Sequence, residues 1–145
     1  MHNLAITKIN STILLYKILD IFFLVFHTAF TFFNLFGWIS EKTRKLNLIT
    51  LLLTGFSWLG LGIFYGIGYC PLTDWHFKIL EKMGYTHLPA SYIKYIADRL
   101  TGYNFDPKFI NKITAIAFIV AFTLSLTLNV KNMLKKRNRK TGENK

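Results

Sequence analysis

Three long, predominantly apolar segments constrain this chain more than any other feature. A helix needs about 20 residues to cross a hydrocarbon core of about 30 Å. In lipid, a helix also satisfies its own backbone hydrogen bonds. The sequence therefore predicts an all-α polytopic membrane protein with three transmembrane helices, at residues 18–39, 48–69 and 109–130.

Residues 70–108, between the second and third segments, show two short helical patterns. The first begins at a capping Thr73 or Asp74 and ends at Gly84, and the second, ASYIKYIADRLTG, ends at Gly102. Tyrosines crowd this loop, so we expect two amphipathic helices at the outer membrane interface with their rings among the headgroups. Asp106 and Pro107 supply an N-cap and a first helical residue for the third span.

The distribution of Lys and Arg predicts the orientation. The formal net charge is +11, and positive residues cluster at 42–45 and in the tail, residues 131–145. Because cytoplasmic loops are rich in Lys and Arg, we expect the tail inside, the N-terminus outside, and a bacterial inner-membrane location. Residues 1–130 then form one helical membrane domain. The basic tail suits anionic lipid headgroups better than nucleic acid, because its charges do not alternate with aromatic residues.

Polar residues form one stripe along the first predicted helix. Asp20, His27 and Asn34 are seven residues apart, so they share one face. Such groups are costly in lipid, and the stripe should therefore face the other helices. Asp20 would pair with Lys17 or lie beside the end of the second span. For His27, near the midplane, the expected partners come from the second helix: Ser57, Trp58, Gly62 or a neighbouring backbone group.

The stretch YCPLTDWHF carries the second group of candidate residues. Cys70 is the only cysteine, which excludes an intrachain disulfide and a paired-cysteine zinc or redox motif. Two interpretations are open for this stretch. It is either a chemical site that lies over Asp20, or only a helix boundary. The candidate polar cluster comprises Asp20, His27, Asn34, Cys70, Thr73, Asp74, Trp75 and His76. No haem ligand pair and no established zinc spacing is present, so no metal, cofactor or catalytic residue is assigned.

The chain resembles a family of small bacterial membrane proteins known as domain of unknown function 2784. The resemblance rests on Asp20 and His27 in an early helix, on the Cys-Pro-Leu-Thr motif at 70–73, and on the tyrosine-bearing segment that leads into the last helix. It implies the same membrane architecture. The family brings no assigned activity.

Two functions remain open from the sequence. The favoured one is a non-enzymatic accessory or scaffold subunit that binds another membrane protein or a second copy of the chain. The alternative is a membrane enzyme, or a redox or metal-binding component, that uses the outer Cys/Asp/His cluster and the midplane histidine. Transport is the weakest possibility, since three spans would require oligomerisation.

Overall fold

The computed structural model describes the backbone of residues 2–143 and the side chains of residues 11–138. This part of the chain contains helices joined by turns and loops, without strands, which confirms the all-α prediction. The elements are α1 (His2–Phe36), α2 (Arg44–Phe56), a π-helical turn (Ser57–Leu61), α3 (Gly62–Tyr65), α4 (Pro71–Lys82), α5 (Tyr92–Thr101) and α6 (Pro107–Glu143).

Three helical stretches are long and apolar enough to cross a membrane: Ser11–Phe36, Arg44–Tyr65 and Pro107–Asn138. Each contains one of the three predicted segments or most of it. Many of their large apolar side chains point away from the protein, among them Val25, Leu59 and Ile119, each more than 60% exposed.

Amide side chains fix the register of α1, α2 and α6. Asn47 donates from Nδ2 to the carbonyl of Phe33 at 2.7 Å, and Asn34 donates to the hydroxyl of Thr54 at 3.1 Å. Asn129 donates to the carbonyl of Arg44 at 3.0 Å. We call this end of the bundle, which carries the 37–43 turn, the turn end. The opposite end carries α4 and α5 and is called the pair end.

The second apolar segment ends earlier than predicted. Its helix stops at Tyr65 instead of Tyr69, because Gly66 takes φ +102° and Gly68 takes φ +88°. Such backbone conformations are available almost only to glycine. The chain then folds back along the helix, and the Ser57 hydroxyl donates to the Tyr69 carbonyl at 2.8 Å. Since Ser57 lies eight residues before Tyr65, the fold-back returns the chain by roughly 12 Å.

The two short helices predicted between the second and third apolar segments are present, but the first begins earlier than predicted and both pack against the long helices. Helix α4 begins at Pro71 with Cys70 as its N-cap, so the predicted starts at Thr73 or Asp74 are wrong. Helix α5 begins after Ser91, whose hydroxyl accepts from the Lys94 amide, and ends at a left-handed Gly102.

Helix α4 packs along α1, whereas α5 also contacts α6. Their shared core comprises Leu80, Tyr92 and Tyr95. The prediction that every tyrosine of this loop lies in the interface is therefore wrong for Tyr92 and Tyr95, which are buried, whereas Tyr103 is exposed.

The third apolar segment forms part of a longer helix. Asp106 caps it by accepting from the Phe109 amide at 2.8 Å, and Pro107 is its first residue, as predicted. The helix does not end at Val130 but continues to Glu143, so the first part of the basic tail is helical. The side chains of Arg139, Lys140 and Lys145 lie outside the described residues.

Candidate functional site

The Asp20 carboxylate is the centre of a buried polar cluster between α1, α4 and α5. Arg99 donates to both of its oxygens, at 2.6 and 2.8 Å, and His76 Nε2 lies 2.9 Å from Oδ1. Asp20 is only 5% exposed. The expected pairing with Lys17 is therefore wrong. A bidentate arginine on the neighbouring helix satisfies a buried carboxylate more completely than an exposed lysine one turn away on the same helix.

His76 is fully buried and hydrogen-bonded at both ring nitrogens. Its Nδ1 lies 2.6 Å from the Tyr92 hydroxyl. Because the ionised Asp20 can only accept, Nε2 carries the proton and Nδ1 accepts from Tyr92. Burial lowers the pKa of His76, and the hydrogen bond to Asp20 only partly opposes this effect. The neutral imidazole is therefore the form that this environment favours.

Two tyrosines complete the cluster. The Tyr92 hydroxyl also lies 3.4 Å from the Phe23 carbonyl, and burial raises the pKa of Tyr92. Tyr95 accepts a hydrogen bond from Arg99, and burial raises its pKa as well. Both hydroxyls therefore stay protonated near neutral pH. The result is a continuous chain of hydrogen bonds from Tyr92 through His76 and Asp20 to Arg99.

His27 borders the cluster without joining its hydrogen bonds. Its ring stacks on Tyr92 with the centroids 4.0 Å apart, and its buried Nδ1 has no hydrogen-bond partner among the described residues. The expected partners on the second helix are wrong, because the fold-back occupies Ser57 with the Tyr69 carbonyl.

The other predicted site residues lie outside this cluster. Asp74 pairs with Lys78 at 2.7 Å, Trp75 is exposed, and Cys70 is a partly buried free thiol at the start of α4. Thr73 lies in the first turns of α4 and makes no hydrogen bond that bears on the site. Within the described residues, no group of three or more His, Cys, Asp or Glu side chains could hold a metal ion.

Asn34 belongs to a separate polar layer near the turn end. It is buried with Asn47 and donates to Thr54, while Asn47 donates to two carbonyls of α1. The predicted stripe is therefore buried as expected, but its members serve different contacts.

The sequence interpretation did not include Arg99 in the site. One signal could have found it: Tyr92, Tyr95 and Arg99 recur at helical spacing on α5, so an arginine shares the face of two aromatic residues. A cation on such a face predicts a buried carboxylate opposite it, and Asp20 is the acid within the first apolar segment.

The family profile described as Protein of Unknown function (DUF2784) matches residues 17–130. The chain belongs to the DUF2784 family. No curated protein and no solved structure matches it. In this DUF2784 member, the matched region runs from just before Asp20 to the end of the third apolar segment, and it contains the whole polar cluster.

Proposed function

We propose that this DUF2784 member is an integral membrane protein that acts as an accessory or scaffold subunit. The first support is the length of α2 through α3: the 22 residues from Arg44 to Tyr65 rise about 33 Å, close to the thickness of a hydrocarbon core. The apolar side chains exposed around the three long helices are the surface that lipid would cover.

The observation that carries the scaffold role is the saturation of the polar cluster. Both oxygens of Asp20, both ring nitrogens of His76 and the hydroxyl of Tyr92 are engaged in hydrogen bonds. A closed network of this kind holds α4 and α5 against α1 and engages the carboxylate, the imidazole and the Tyr92 hydroxyl with one another, so that of the buried polar groups at this site only the neighbouring His27 Nδ1 has no hydrogen-bond partner among the described residues. We call these four residues, Asp20, His76, Tyr92 and Arg99, the polar lock.

The pair end then presents a fixed surface to a partner. Trp75, Tyr85, Leu100 and Tyr103 are each at least 49% exposed on or beside α4 and α5. Aromatic residues of this kind are enriched at protein interfaces. We propose that this surface faces the outside of a bacterial inner membrane and contacts another membrane protein, with the N-terminus outside and the C-terminus in the cytoplasm.

Site-specific photo-crosslinking in intact membranes tests this role. A photoreactive phenylalanine at Tyr103 should give one discrete crosslinked product, whereas the same group at lipid-facing Leu59 should give none. A product of twice the chain mass of 16.9 kDa would identify a second copy as the partner. Asp20→Ala should abolish the product while the chain stays in the membrane. Equal labelling from both positions would refute a specific partner surface.

The alternative function, an enzyme, is favoured by one observation. Asp20 orients the His76 imidazole, whose Nδ1 accepts a hydrogen bond from the Tyr92 hydroxyl, the arrangement found in acid–base relays that activate a hydroxyl. A substrate could reach that hydroxyl only if α4 and α5 moved. Under this alternative, Tyr92→Phe reproduces whatever phenotype deletion of the whole chain causes in cells, while the Tyr103 crosslink persists. Under the scaffold role, the phenotype and the crosslink change together.

A further inference from the structure

The two ends of the bundle differ in how their positive charges are satisfied. At the pair end, three cations each have a carboxylate partner: Lys78 with Asp74, Lys94 with Asp98, and Arg99 with Asp20. At the turn end, Glu41 is the only acidic side chain among residues 37–45 and 129–138, and it pairs with Arg44 at 3.4 Å.

Five exposed lysines at the turn end have no ion pair with a carboxylate of the described side chains. We call them the lysine collar: Lys42, Lys45, Lys131, Lys135 and Lys136. The pair end also has exposed lysines without such an ion pair, but its acids offset most of its bases: residues 17–20 and 70–112 hold seven Lys and Arg and five Asp and Glu. Residues 37–45 and 129–138 hold seven Lys and Arg and one Glu, so the excess of positive charge lies at the turn end.

The continuation of α6 brings the collar together in space. The hydrogen bond from Asn129 to the Arg44 carbonyl places residue 129 of α6 at the start of α2. At about 1.5 Å per residue, Lys131 lies about 3 Å beyond that level and Lys136 about 10 Å beyond it. The turn between α1 and α2 supplies Lys42 and Lys45 at the same end.

This depth matches a layer of lipid headgroups. The headgroup region of one leaflet is roughly 5–8 Å thick, and electrostatic attraction extends about a further 8 Å at physiological salt. Exposed Met133 and Leu134 lie between the collar lysines on α6. Alternating apolar and cationic side chains of this kind suit a boundary between acyl chains and phosphates, where lysine ammonium groups reach toward the headgroups.

We propose that the lysine collar binds the phosphates of anionic phospholipids. The proposal deepens the proposed membrane role and rests on it. Charge complementarity commits the collar to a lipid: its cations lie at one end of apolar helices, where the nearest abundant anions in a bilayer are headgroup phosphates. An acidic protein segment would instead need no phospholipid for binding, and the experiment separates the two.

Native mass spectrometry of the full chain in mild detergent tests the proposal. The protein is mixed with equal amounts of phosphatidylglycerol and phosphatidylcholine, and the two bound populations are counted. We expect at least a tenfold preference for phosphatidylglycerol. Replacing four collar residues by glutamine should reduce the preference to about twofold or less: Lys42, Lys45, Lys131 and Lys135. The matched control makes the same change in charge at four exposed pair-end lysines: Lys17, Lys82, Lys108 and Lys112.

Each outcome decides the proposal. A preference that survives in the control and disappears in the collar variant supports it. The absence of any preference in the unaltered chain overturns it, as does an equal loss in both variants, which would reflect net charge alone. Retention of the chain in membranes after alkaline extraction is measured in parallel. Failure of retention would refute membrane insertion itself, whereas retention without lipid preference would refute only the collar.

Discussion

Removing the Asp20 side chain should release α4 and α5 from the bundle. Asp20→Ala leaves the His76 Nε2–H, on a fully buried ring, without an acceptor, and it leaves Arg99 without its carboxylate. Breaking a buried ion pair by removing one partner costs about 3–5 kcal/mol. Because the Arg99 side chain is 31% exposed and can regain water, we expect the lower end, about 3 kcal/mol.

Hydrogen exchange measures this cost where it should appear. The amides of α4 and α5 exchange when the two helices open locally, so about 3 kcal/mol corresponds to roughly hundredfold faster exchange. Amides in the middle of α6 should change little. The matched control is Asp74→Ala, which removes another aspartate and another ion pair of α4, but an exposed one with Lys78. Its expected cost is at most about 1 kcal/mol.

Equal exchange in the two variants would refute the role of the polar lock.

A second test asks whether the cost arises from unpaired polar groups. Replacing the carboxylate and its two partners by apolar residues of similar size avoids that penalty. We therefore expect Asp20→Leu combined with His76→Phe and Arg99→Met to restore much of the protection that Asp20→Ala loses, because the Tyr92 hydroxyl then still has the Phe23 carbonyl, 3.4 Å away, as its acceptor. If the triple variant opens as readily as Asp20→Ala, polar satisfaction is not what holds the pair.

Three further predictions address single elements of the fold. Burial lowers the pKa of His76 below its ordinary value of about 6.5, so the unfolded chain binds its proton more readily. The stability that the neutral imidazole contributes should be complete above about pH 6.5 and decline as the pH falls below it. When unfolding is followed between pH 8 and pH 4.5, the dependence of the free energy of unfolding on pH should be weaker in His76→Phe. Tyr92→Phe removes the donor to His76 Nδ1 and should cost about 1–3 kcal/mol in thermal unfolding, without changing the helix content seen by circular dichroism. Gly66→Ala should destabilise the protein by about 1–3 kcal/mol because Gly66 has φ +102°. Gly55 lies in a helix with room for a methyl group, so Gly55→Ala should be neutral or stabilising. Equal destabilisation by both substitutions would contradict this account.

The elements were largely predictable because their signals are local. A long apolar segment, an aspartate followed by proline before α6, and a glycine that ends α5 each act within a few residues of the structure they determine. The early end of the second helix was less visible. Gly66 and Gly68 lie in an apolar segment, residues 48–69, that has no charged residue, so hydropathy alone extended the helix to Tyr69.

The polar cluster could be predicted only in part, because its contacts are between distant residues. Asp20 and Arg99 are 79 residues apart in the sequence, and Asp20 and His76 are 56 apart. Depth matching along straight helices placed Asp20 near the start of α4 but could not show that the chain folds back after Tyr65. That fold-back sets α4 beside α1, and α5 packs on α4, so the neighbour of His27 is Tyr92 of α5 rather than a residue of the second helix.

In the proposed membrane setting, the stripe of Asp20, His27 and Asn34 follows from how helices associate in lipid. Apolar surface gives no net driving force between helices there, because lipid tails are as apolar as leucine, and polar contacts and close packing must specify the arrangement. Asn34 contributes to the contact between α1 and α2 through Thr54, whereas Asp20 holds α4 and α5 through His76 and Arg99. One face of α1 thus specifies both the bundle and its attached pair. In a membrane, loss of Asp20 should therefore detach the pair and leave the three long helices assembled, and the hydrogen-exchange contrast between α4 and α6 measures that difference.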